Sequence, residues 1–105
     1  MSTPFIDQLD EYCVALYLEV PGSSVVLLQA LLESYDGIGV VRTLSIRDSL
    51  ICLLTTPSEV SSLIDLLNSV HDNLPWRALD HRPPQAEQEL FLGYFRKRTN
   101  AAIDA

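Results

Sequence analysis

The residues of this chain that could do chemistry are few and widely spaced. Histidine occurs twice, at His71 and His81, and cysteine twice, at Cys13 and Cys52. A general base works through a partner held within hydrogen-bond reach, and neither histidine sits in a recognisable spacing with a nucleophile. His71, near the end of a predicted helix, is better explained by favourable interaction with the helix dipole. A structural or catalytic metal needs three or four converging ligands, and two separated cysteines with two separated histidines do not supply that spacing. The reading is therefore of no catalytic residues, no metal, no cofactor and no enzyme. One stretch suits binding better. Pro21-Gly22-Ser23-Ser24 precedes a run of apolar residues, and amides at a helix start can hold an anion or a carboxylate. Gly39 and Arg42 lie on a later strand, where Arg42 could pair with a ligand carboxylate or guard a sheet edge against aggregation.

These residues must be positioned by regular elements. Residues 12–20 carry Val14, Leu16, Leu18 and Val20 on one parity and Cys13, Ala15 and Tyr17 on the other. That pattern predicts a central strand covered on both faces. Pro21-Gly22 ends it, and Ser23 or Ser24 offers an N-cap. Leu27, Leu28, Leu31, Leu32 and Tyr35 then recur at helical spacing, and Gly37 suits the position after a helix. Residues 39–46 mix apolar and polar types, which suits an edge strand. A turn at Arg47-Asp48 or Asp48-Ser49 leads to residues 50–55, apolar on both parities and again central.

Thr56-Pro57-Ser58-Glu59 matches a capping box with proline in the first helical position. Val60, Leu63, Ile64, Leu67 and Val70 form the stripe of the helix that follows, and Leu74-Pro75 breaks it. Residues 76–81 read as a short last strand. After Arg82-Pro83-Pro84, residues 85–98 read as a C-terminal helix with Leu90, Phe91, Tyr94 and Phe95 on one face and Arg96, Lys97 and Arg98 in its last turn.

The order βαββαβ is that of a repeated split βαβ unit. The fold class expected is α+β: a ferredoxin-like sandwich with an antiparallel sheet in the order 4-1-3-2, plus a C-terminal helix. The organisation expected is a flexible arm over residues 1–10, the domain over 11–82, the C-terminal helix over 83–98 and a frayed tail over 99–105. Both helices of the sandwich cover one face of the sheet. The other face, which carries Tyr17, needs cover from the C-terminal helix or from a second copy of the chain, because a bare apolar face of that size is rare on monomers. Leu90, Phe91, Tyr94 and Phe95 are thus either an intramolecular cover or, with Tyr17, an interface.

Composition narrows the partners. The 105 residues are 48% hydrophobic and 20% charged, with a net charge of −7. No Lys or Arg occurs before Arg42. Nucleic-acid affinity rests on cations that neutralise phosphates, so nucleic acid is not an expected partner. No apolar run approaches the ~20 residues of a membrane span, and the first ten residues lack the basic and apolar regions of a signal sequence. The cysteines are expected to be free thiols in a reducing cytoplasm.

Residues 19–33, with the Pro-Gly turn between strand and helix, together with Gly37-Ile38-Gly39-Val40-Val41, resemble ACT-like regulatory domains. Leu32-Glu33-Ser34-Tyr35-Asp36-Gly37 followed by Val40-Val41-Arg42-Thr43-Leu44 resembles a small bacterial family known only as a domain of unknown function. The ACT resemblance implies a regulatory module with a ligand held between the Pro21–Ser24 loop and a neighbouring subunit. The expected function is a non-catalytic regulatory or interaction module, a homodimer binding a small carboxylate. The alternative is a dimerisation protein with no ligand.

Overall fold

A computed structural model describes residues 4–35 and 37–90. Five antiparallel strands form one sheet, and the helices pack on it. In chain order the elements are β1 (Asp7–Gln8), β2 (Val14–Glu19), α1 (Gly22–Glu33), β3 (Val40–Ser45), β4 (Leu50–Thr55), α2 (Val60–Val70), β5 (Arg77–Ala78) and α3 (Pro84–Ala86). The two strands that are apolar on both parities are the central pair: β2 and β4 run antiparallel with Leu16 opposite Leu53 and Tyr17 opposite Cys52. β3 flanks β4, with a bulge between Thr43 and Ser45.

The other side of β2 is shared. β1 pairs with its start and β5 with its end, so the sheet path is β1-β2-β4-β3, with β5 joined to β2. This differs from the order 4-1-3-2 expected from the sequence, because residues 7–8, read there as part of a flexible arm, form a strand. Asp7 is drawn onto the sheet by side chains of β2 and of the segment after β5. β5 is also shorter than the expected strand of residues 76–81, although the Leu79 N–H extends the contact by donating to the Tyr17 carbonyl at 2.8 Å.

Alternation along β2 and β4 sends side chains to two separate cores. Leu16, Leu18, Ile51 and Leu53 meet Leu28 and Leu32 of α1 and Leu63 and Leu67 of α2 on the first face. Ala15, Tyr17, Leu50 and Cys52 lie on the second face, under Ala86 and Leu90. The described part of the C-terminal segment thus covers the second face in cis: Ala86 and Leu90 are fully buried. The segment beyond Leu90, including Phe91, Tyr94 and Phe95, lies outside the described residues.

Local details depart from expectation in instructive ways. α1 begins at Gly22 with Pro21 in the N-cap position, and neither Ser23 nor Ser24 caps it. Proline's fixed φ, −53° here, suits a helix start, and its carbonyl accepts the Ser24 N–H at 2.8 Å. Gly37 has φ +77° and sits in a turn in which the Ile38 N–H donates to the Tyr35 carbonyl. It therefore supplies the left-handed residue of a turn, not of the helix end. At Thr56 the forward half of the capping box forms: the hydroxyl accepts the Glu59 N–H at 3.2 Å, while regular helix begins at Val60.

Candidate functional site

The end of β2, the start of α1 and the β3–β4 hairpin enclose a cleft of about 200 Å³. Its walls are Val20, Val25, Val26, Ile46, Leu50 and Ile51, and Gly22, Thr43, Ser45 and Ser49 complete the lining. The chain makes this opening through three local choices. Pro21 starts the helix abruptly, Gly22 contributes no side chain at its mouth, and Ser49 takes a left-handed φ of 55° that closes the hairpin. The Val20 N–H donates to the Ser49 carbonyl at 2.9 Å, tying the hairpin to the end of β2. The first turn of α1 has no side-chain cap, and its first residue, Gly22, lies in the lining of the apolar hollow. Chemically the cleft can take a small apolar group and, at the helix start, a negative charge.

The residues proposed from the sequence as a binding set do not converge. Gly22 lines this cleft, and Pro21 and Ser23 stand exposed beside it. Gly39 lies instead in a second hollow of about 220 Å³, lined by Gln29, Leu32, Glu33, Val40 and Val41. It is glycine for a packing reason, since a Cβ there would lie 3.2 Å from the Leu54 carbonyl oxygen. Arg42 is opposite Cys52 in the β3–β4 register, and residues directly opposite share a face. It therefore belongs to the second face, across the sheet from α1. Of the expected interface residues, Tyr17 and Leu90 are fully buried within the chain.

The second face holds a polar cluster that pattern reading does not reveal. The Tyr17 hydroxyl donates to Asp7 Oδ2. The Arg82 guanidinium grips the same carboxylate with two bonds, Nε to Oδ2 at 2.7 Å and Nη2 to Oδ1 at 2.9 Å, and reaches Glu87 Oε1 at 3.1 Å through Nη1. Asp7 is buried. Burial alone would raise its carboxyl, but the Arg82 and Tyr17 hydrogen bonds outweigh it and hold it below the ordinary carboxylate range. Burial and the neighbouring carboxylate push the Tyr17 phenol up. Burial likewise pushes the Cys52 thiol up to about 12, with Cys13 and Asp7 adding to it. A thiol held protonated is a poor nucleophile, so this cluster ties chain segments together and does not activate Cys52. Asp7 and Arg82 are 75 positions apart, and no local signal marks either.

Both histidines make local contacts. His71 Nε2 donates to the Trp76 carbonyl at 2.9 Å, with the two rings edge to face at 5.0 Å. The Trp76 indole N–H in turn donates to the Leu67 carbonyl at 2.8 Å, closing the end of α2. His81 pairs with the exposed Asp80 at 2.8 Å. Cys13 and Cys52 are free thiols. Among the described residues, no three His, Cys, Asp or Glu side chains are placed to hold a metal ion, and no helix is long and apolar enough to cross a membrane.

Comparison with known families identifies the chain. Residues 18–73 match a family described as Domain of unknown function (DUF4911). The match covers more than half of the 105 residues, and the chain belongs to that family. It runs from the last residues of β2 to just past the end of α2, and so includes the cleft. No curated protein and no solved structure matches the chain.

Proposed function

We propose that this member of the DUF4911 family is a non-catalytic binding module that takes a small aliphatic carboxylate into the cleft between α1 and the β3–β4 hairpin. The observation that carries the reading is the junction of an apolar hollow with an uncapped helix start. A branched or short straight chain fits against Val20, Val25, Leu50 and Ile51, and its carboxylate meets the first amides of α1. We read the module as a cytoplasmic homodimer of ACT-like character. With β1 set aside, the strands run β5-β2-β4-β3, and that arrangement supports a ferredoxin-like origin.

The test is thermal stability against a panel of carboxylates of two to about six carbons, with isovalerate as the lead probe. A ligand present at 100 times its Kd adds about 2.7 kcal/mol, a rise of several degrees in a domain of this size. Isovalerate should raise the Tm of the native chain and leave Val26→Trp, whose larger side chain fills the cleft, unchanged. No rise across the panel, or an equal rise in the variant, contradicts the reading. The second reading, a dimerisation protein without ligand, draws on the exposure of Val26, Leu27 and Tyr35 on or just after α1. It predicts a dimer that no member of the panel stabilises.

A further inference from the structure

We infer that two copies of this chain join edge to edge through β3 and the adjoining flank of α1, about a two-fold axis, with Glu33 of each copy meeting Arg47 of the other. This rests on the homodimer in the reading above and assigns its surface. β3 ends the sheet path, so one of its two edges pairs with no strand among the described residues. Such an edge is a template for another strand unless something blunts it. The side chains around it are apolar and bare: Val40 is 59%, Val26 69% and Ile46 89% exposed. They line both sides of that edge. Val26 and Ile46 wall the cleft on the α1 side, Gln29 and Glu33 line a hollow at the start of β3, and Val40, opposite Leu54 in the register, is bare on the other face. α1 therefore runs alongside β3 in the opposite direction.

Charge selects the occupant. From Val20 to Leu32 the chain carries no charged residue, in a protein of net charge −7. A second acidic copy can approach this flank without like charges meeting. On the α1 side the charges stand at opposite ends, Glu33 at the start of β3 and Arg47 just past Ile46, while Arg42 of β3 itself faces the other side of the sheet, opposite Cys52. Glu33 and Arg47 are exposed, and neither has an ion-pair partner among the described residues. Antiparallel pairing of β3 with its own copy exchanges the two ends. Glu33 then faces the partner's Arg47 twice, as an isologous interface requires. The two copies also close the open side of the cleft at Val26 and Ile46.

Charge reversal tests this on the full chain, with mass followed against concentration by sedimentation equilibrium. Glu33→Arg and Arg47→Glu should each raise the dimer dissociation constant about tenfold, since two exposed pairs turn repulsive. The double variant, which restores both pairs with the signs exchanged, should recover most of the loss. A native chain that is monomeric up to hundreds of micromolar overturns the proposal. So does a dimer indifferent to both reversals, or a double variant no tighter than the singles. Neither residue lines the carboxylate cleft, so isovalerate stabilisation of the variants is read separately. A monomer that still responds rejects the interface alone, and an intact dimer that does not respond rejects the ligand alone.

Discussion

The two faces of one sheet are held by different means. On the first, α1 and α2 bury an all-apolar layer built from residues close in sequence to their strands. On the second, a short segment near the C-terminus lies over Ala15, Tyr17 and Cys52, and a buried carboxylate pins it from the opposite end of the chain. Hydrophobic burial is non-directional and tolerates many partners. A bidentate ion pair tolerates one geometry. The first face should therefore set overall stability, and the second should set which segment covers the sheet.

Large-to-small substitution on the first face should cost most. Leu63→Ala leaves a cavity under α2 and should lower unfolding free energy by about 3 kcal/mol, measured by urea denaturation. All probes of folding should lose protection together. Arg82→Met should cost about 2 kcal/mol, less than the ~3–5 kcal/mol of breaking a fully buried pair because Arg82 is itself partly exposed. Its signature should be local: Cys52, fully buried in the native chain, should react with Ellman's reagent many times faster under native conditions. If Leu63→Ala exposes Cys52 as selectively as Arg82→Met does, the two faces are not independent units.

Smaller effects refine the second face. Tyr17→Phe removes one donor and leaves the Arg82 pair, a loss of about 1 kcal/mol. Because the folded pKa of Asp7 lies below its value in the unfolded chain, its contribution is complete above about pH 4. It disappears as pH falls through the folded value. Asp7→Asn should flatten that acid limb of the stability profile and leave the shape of the profile near neutral pH unchanged. An acid limb of the same depth in the variant would assign the dependence to other carboxylates.

The same contrast decides what the sequence makes legible. The dual apolarity of residues 12–20 and 50–55 identifies the central strands, since period-two patterns on both parities leave no solvent face. Pro21-Gly22 marks the helix start, and Gly22 lies in the lining of the cleft. The partnership of Asp7, Tyr17 and Arg82 is not legible, because no periodicity links positions 75 residues apart and a lone Asp in a polar stretch reads as solvated. Arg42 shows a related limit. Its strand is readable, but its face depends on the β3–β4 register, and that places it opposite Cys52 and away from the cleft.

A proton–nitrogen and methyl NMR titration with isovalerate reads directly whether the cleft takes a small aliphatic carboxylate. Saturable shifts are expected at the Gly22 and Ser23 amides together with the methyls of Val25, Val26 and Ile51. Shifts confined to residues outside the cleft, or none at millimolar isovalerate, would contradict binding in the cleft.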